Sequence, residues 1–334
     1  MSIALLLLAI LSADVHQWRA GGQASVEQLI ANGAAEELLD AVCAQKDCRA
    51  SQLYWYTDLE EAKAAAQRLK RPILSLYLLG RLDEELSCAN SRFFRVLLYS
   101  DPAIAKVMRE EYVLYWHSVR PVPQVTIDMG DGRKIRQTIT GNSVHYLLDA
   151  DGRVLDALPG LHSPKAFREQ LEEWLTLDRA KLREYHAARS RGPFETPSKK
   201  ASALDASRLA TTKGIVELPL LRQLTLGSRT IEVNLNLGDD VAFSKESIAL
   251  METKQPLNDE LLKNLRRAVV ADTYVNGEMH AVIHQWFATG EVRDLDSLNE
   301  RVYAELFRTP SDDPWLGLNP SAAFAAIEEG GRGF

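Results

Sequence analysis

The segment Val144 to Gly160, VHYLLDADGRVLDALPG, reads as an antiparallel hairpin. Val144 to Asp149 has the apolar, β-branched and aromatic character of a strand, Asp151-Gly152 supplies the turn, and RVLDAL returns as the second arm. Directly after it, SPKAFREQLEEWL (Ser163 to Leu175) opens on Ser-Pro, a helix-start signal, and places Phe167, Leu171, Trp174 and Leu175 on one face. A two-strand meander closed by an amphipathic helix needs a sheet to pack on, and the chain before it supplies one.

ILSLYLL, Ile73 to Leu79, is a nearly continuous apolar run of strand length, as a central strand buried on both faces would be. QLYWYT (Gln52 to Thr57) and YVLYWHSV (Tyr112 to Val119) read as further strands. Between them lie helical stretches. DLEEAKAAAQRLK is capped by Asp58 and stopped at Arg71-Pro72, Ala89 to Tyr99 offers Phe93, Phe94, Val96 and Leu97 to a core, and PAIAKVMREE has Pro102 at its first position. Gly130-Asp131-Gly132 predicts a further hairpin within VTIDMGDGRKIRQTIT. Alternating strands and helices followed by a meander predict an α/β fold, a three-layer α/β/α domain over residues 51–180.

Residues 25–50 read as an N-terminal helical segment, with Ser25 as N-cap and Gln28 completing a capping box for a helix reaching Cys43. Residues 189–203, rich in Pro, Ser and Lys, predict a linker. Residues 204–334 read as a mainly helical C-terminal region: a short β-like pair, QLTLGSRTIEVNLNL, then helices over Leu257 to Thr289 and Asp296 to Arg308, and a tail docked through Trp315, Leu316, Leu318 and Phe324.

The chain carries a net charge of −7 over 334 residues without a dense basic block, which argues against nucleic acid and anionic lipid as partners. Residues 1–13 include an apolar run, Ile3 to Leu11, with the length of a signal-peptide core and too short to span a bilayer. No Lys or Arg precedes that run, and an apolar first helix is the alternative. Export to a periplasmic or extracellular setting, with no membrane span left after signal removal, is therefore expected, against a cytoplasmic alternative. Three cysteines are present, Cys43, Cys48 and Cys88. On one continuous helix Cys43 and Cys48 would point about 140° apart, so a bridge between them requires the helix to end near Lys46-Asp47. In an exported chain this pair is expected as a structural disulfide; in a cytosolic one both thiols stay reduced.

In order along the chain, Trp55 before the first helix, Arg71-Pro72-Ile73-Leu74 opening the central strand, Cys88 at a helix start, YVLYWHSV, the LLDADGRVLDALPG hairpin and the closing SPKAFREQLEEWL helix resemble a thioredoxin-like domain. The resemblance covers about a third of the chain and implies that fold, with the mainly helical C-terminal region added. It also implies a reactive site at Cys88, with substrates among protein or low-molecular-weight disulfides and no cofactor. Three features depart from the family. Its C-x-x-C stands here as Cys88-Ala89-Asn90-Ser91, the loop between Pro72 and Cys88 is longer, and the place of its proline before the hairpin strand reads Thr140-Gly141-Asn142-Ser143-Val144.

Ser91 cannot resolve a mixed disulfide as a second sulfur would, which leaves monothiol exchange or partner trapping. Cys88 is then the nucleophile, with Ser91 and Ser143 supporting it and Asn90, Arg92 and Asn142 lining the site. A helix start and Arg92 favour the thiolate, whereas Asp83, Glu84 and Glu85 oppose it. The competing reading of Cys88 is a small buried apolar residue. His145 is either a base turned toward the cysteine or a core histidine bonded to a backbone carbonyl. Farther on, Asp272, Asn276, His280 and His284 are spaced four apart and form one helical stripe. His280 and His284 have the spacing of two imidazoles on one metal, but only two ligands are visible, and a polar seam against another helix is the alternative. No metal centre is expected. Two functions stay open: a single-cysteine thiol protein, or a non-catalytic thioredoxin-like scaffold whose helical region binds a partner. Oligomeric state is not readable.

Overall fold

The structure is a computed structural model that describes residues 15–138, 141–190, 241–292, 294–307, 309–310 and 312–313. The segment 1–13, the linker beyond Ser190, the QLTLGSRTIEVNLNL pair and the tail residues Trp315 to Phe324 lie outside the described residues.

A mixed four-stranded sheet forms the centre. Its strands are β1 (Ile73–Leu79), β2 (Val113–Arg120), β5 (Ser143–Leu148) and β6 (Val154–Pro159), in the order β2-β1-β5-β6. β2 runs parallel to β1, whereas β5 and β6 are antiparallel to their neighbours, so the predicted hairpin is the antiparallel half of the sheet. Every residue of β1, β5 and β6 is buried, which accounts for their unbroken apolar reading. Cutting such a residue back, as in Leu76→Ala, would cost about 2–5 kcal/mol. The second predicted hairpin is present as β3 (Gln124–Asp128) and β4 (Lys134–Thr138), a separate two-stranded sheet.

The expected capping chemistry is in place. Asp58 accepts from the Glu61 N–H at the start of α4 (Leu59–Leu69), Asp101 from Ala103 and Ile104 at α6 (Pro102–Glu111), and Ser163 from Ala166 at α7 (Pro164–Leu175). Leu175 stands on the outside of α7, away from the buried Phe167, Leu171 and Trp174.

Several expectations are corrected. The N-terminal stretch is not one helix capped by Ser25. It is α1 (Gln23–Ala31), α2 (Glu36–Cys43) and the short α3 (Cys48–Ser51), and Ser25 lies buried inside α1. Gly33, at φ +67, sits in the break where an L side chain would be strained. QLYWYT is not a strand: only Tyr56 bridges to Tyr115, while Trp55 is buried and donates its indole N–H to Gln45 Oε1. The helix expected to Tyr99 is α5 (Ala89–Phe93) running on as a π-helical turn, Phe94–Leu98. The last described helix, α11 (Leu295–Arg301), likewise continues as a π-helical turn, Val302–Leu306.

The two cysteines of the N-terminal stretch form the expected disulfide, Cys43–Cys48, with Cα atoms 6.2 Å apart. It is possible because α2 stops at Cys43 and Ala44 turns left-handed, so the two side chains no longer share a helix.

The described C-terminal helices pack onto the same core as the sheet. α9 (Lys245–Lys254) meets the π-helical turn after α5 through Ser247, whose Oγ is 3.4 Å from the Leu97 carbonyl and 2.9 Å from the hydroxyl of Ser100 just beyond the turn. Lys254 and the buried Arg95 both pair with Asp47, at 2.7 and 3.2 Å. α10 (Asp259–Thr289) runs against β6 and α8 (Leu182–Arg189), a helix the sequence reading did not anticipate. Gly160 permits this approach, since a Cβ there would stand 2.3 Å from Asn276 Oδ1. On one face of β5, Tyr146 donates to Asn299 of α11. On the other, His145 packs between Phe94 and Phe167. No helix among the described residues is long and apolar enough to cross a membrane.

Candidate functional site

Cys88 is the N-cap residue of α5, and its N–H donates to Leu79 O at the end of β1. The start of β5 faces it. Cys88 Sγ lies 2.9 Å from Ser143 Oγ, 3.4 Å from Ser91 Oγ and 3.6 Å from the Asn142 carbonyl. The structure thus brings together Cys88, Ser91, Asn142 and Ser143, as the sequence reading expected.

It does not present the sulfur to solvent. Cys88 is 0% exposed and belongs to the apolar core, and Ser91, Ser143, Asn90 and Asn142 are buried with it. Two residues of the C-terminal region bond the neighbouring Asn142: Tyr303 O–H donates to its carbonyl at 3.0 Å, and its Nδ2 donates to Thr309 Oγ1 at 2.6 Å. The hydroxyls are also engaged elsewhere, since Ser91 Oγ is 2.7 Å from both Ser87 Oγ and the Cys88 carbonyl. Asn90 Nδ2 has no hydrogen-bond partner among the described residues. Arg92 reaches Thr138 Oγ1 at 2.9 Å.

His145 does not serve Cys88. It shares a strand face with Ser143, but its Nε2 is 2.7 Å from Tyr99 O–H and its ring is wedged between Phe94 and Phe167. Burial, helped by the nearby His162, pulls its pKa down to about 3, so it is a neutral core group at pH 7. Its hydrogen-bond partner is a phenol, not the backbone carbonyl expected of a core histidine.

A second buried polar cluster lies at β6. Asp156, 0% exposed, receives Trp174 Nε1–H at 2.7 Å and Tyr185 O–H at 3.3 Å on Oδ2. Its Oδ1 is 3.2 Å from His280 Nε2 and 3.8 Å from His284 Nδ1. His186 completes the group, with its Nδ1 2.7 Å from His284 Nδ1 and its Nε2–H donating to the Leu155 carbonyl at 2.9 Å. Burial alone would raise the Asp156 pKa; the facing His280, His284 and His186 outweigh it and hold the carboxyl well below the usual range. Burial lowers both His186 and His284, the latter to about 3, with the His280 charge acting in the same direction. Asp156, His186 and His284 each offer a ligand atom within 4.8 Å of the others.

The rest of the stripe on α10 is a polar seam. Asn276 Nδ2 donates to Leu161 O, and the neighbouring Thr273 accepts from the Ser163 N–H. His280 and His284 were visible in the sequence through their spacing; Asp156 and His186 were missed. One signal was there for Asp156. RVLDAL puts an acidic residue in a strand whose neighbours are apolar, and a charge at such a position needs buried partners. His186 carried no comparable signal. Among curated proteins and protein-family models, none matches this chain.

Proposed function

We propose that this chain is a non-catalytic thioredoxin-like scaffold, in which the cysteine position is structural and the C-terminal helices contribute the binding surface for a protein partner. The observation that carries the reading is the complete burial of Cys88, beside an Asn142 that Tyr303 and Thr309 of the C-terminal region bond. A thiol that must attack a disulfide needs access, and full burial denies it. The thioredoxin-like assignment is supported by a parallel β1–β2 pair beside an antiparallel β5–β6 pair, and by a cysteine at the start of the helix after the central strand. The Cys43–Cys48 bridge fits an oxidising, exported setting.

The competing single-cysteine thiol reading draws on Ser143 and Ser91 beside the sulfur, with exchange occurring when the C-terminal region opens. Thiol alkylation and glutathione-disulfide exchange on the native chain divide the two. The scaffold reading expects labelling of Cys88 only in denaturant and no exchange above background. Rapid native labelling, with exchange lost in a folded Cys88→Ala chain, would sink it.

A further inference from the structure

The Asp156 cluster joins elements far apart in the chain: β6, α8 and α10. All four side chains are buried, with Asp156 and His186 at 0% and 1% exposure and His284 and His280 at 3% and 7%. We propose that Asp156, His186 and His284 form a zinc(II) site that fastens the C-terminal helices to the sheet, with His280 beside it on Asp156, whatever Cys88 does.

Hydrogen bonding at the edge of the cluster already aims the ligand atoms inward. A carbonyl oxygen can only accept, so His186 Nε2 carries the proton bonded to Leu155 O. In a neutral ring that leaves Nδ1 bare, with its lone pair pointing into the cluster. A metal-binding histidine is commonly oriented in this way, its outward N–H held by a carbonyl. Asp156 is arranged on the same principle. Trp174 and Tyr185 hold Oδ2, while Oδ1 accepts the Ala157 N–H at 2.8 Å and faces the histidines.

Spacing also fits. Zinc bonds of about 2.0–2.1 Å in a tetrahedron place neighbouring ligand atoms about 3.3 Å apart. The contacts here are 2.7 Å for His186–His284 and 3.8 Å for His284–Asp156, on both sides of that value, and the three ligand atoms all lie within 4.8 Å of one another. His280, one helical turn before His284 and with ring centroids 4.0 Å apart, sits beside the site with its Nε2 3.2 Å from Asp156 Oδ1. Two imidazoles and one carboxylate suit zinc, with water in the fourth position, whereas magnesium and calcium prefer oxygen donors. Without an ion, two Nδ1 atoms facing each other at 2.7 Å must share one proton as a hydrogen bond. With it, both rings keep their proton on the outward nitrogen.

The test uses the untagged full-length chain, stripped with a chelator and titrated with zinc alone, with magnesium as the control. The expected result is one zinc per chain, and a thermal midpoint raised by roughly 5 °C at a hundredfold excess over the dissociation constant. Magnesium should leave the midpoint where it was. The double variant His186→Gln with His284→Gln should bind zinc at least roughly a hundredfold more weakly. A wild-type chain that takes up no zinc would overturn the proposal, as would a folded double variant that binds as tightly. Should that variant fail to fold, cobalt(II) in the wild-type chain decides. Visible bands of a tetrahedral, nitrogen-ligated ion support the site, and a weak six-coordinate spectrum rejects it.

Discussion

Two buried polar clusters lie against the same sheet, and they differ in what their chemistry demands. Around Cys88 the groups are neutral and small: a thiol, two serine hydroxyls and an amide. Around Asp156 they are a carboxylate and three imidazoles, with an indole and a phenol donating from outside. A neutral cluster can be buried at modest cost once it is hydrogen-bonded. A buried carboxylate requires full compensation, so its partners must be placed together. Position in the fold draws attention to the first cluster; physical necessity draws it to the second.

The largest expected effect tests that contrast directly. Asp156→Ala leaves the Trp174 N–H and the His280 ring buried without their acceptor, and should destabilise the chain by about 3–5 kcal/mol in denaturant unfolding. A loss under 1 kcal/mol would mean that the cluster is wet and loosely held. Next comes the N-terminal bridge. Replacing Cys43 and Cys48 by serine opens a short loop, and the chain-entropy argument gives a loss of about 2 kcal/mol, read as a lower unfolding midpoint. The Cys88 region should be insensitive to that change.

A pH measurement sharpens the comparison on the strand that carries Ser143. His145 stays neutral in the fold down to about pH 3, whereas in the unfolded chain it takes up a proton near its ordinary value of 6.5. Between those limits the unfolded state binds more protons, so stability falls as the pH falls, by about 1.4 kcal/mol per pH unit for this one group. His145→Phe should flatten the stability profile between pH 6 and 4 by roughly that slope. An unchanged slope would show that His145 is already protonated in the fold. The smallest effect is expected at the quiet cluster. Cys88→Ala should cost about 1 kcal/mol and leave the structure intact. A loss above 3 kcal/mol would place that cluster among the demanding ones.

Much of the sheet was legible along the chain because its signals are local. β1 announces itself as an apolar run, β5 and β6 by strand character around Asp151-Gly152, and α4, α6 and α7 by a capping residue followed by a periodic face. The failures have local causes of a different kind. QLYWYT has strand composition but makes one bridge, because its Trp55 is spent on a side-chain bond to Gln45 and on the core. Residues 25–43 carry helical periodicity throughout, yet Asn32-Gly33 divides them.

The partnership of Cys88 with Ser143 could be anticipated, since a resemblance in the order of elements brings a helix start against a strand start. That the sulfur is buried could not, because burial depends on tertiary packing, and the residues that bond the adjacent Asn142, Tyr303 and Thr309, come from more than two hundred residues beyond Cys88. The amino-acid order specifies strand, helix, turn and cap, which depend on neighbours within a few positions. Burial, the charge state of Asp156 and His284, and the meeting of β6, α8 and α10 depend on groups that become neighbours after the chain has collapsed. Desolvation then decides which of them stay neutral, which pair, and which side chain remains within reach of solvent.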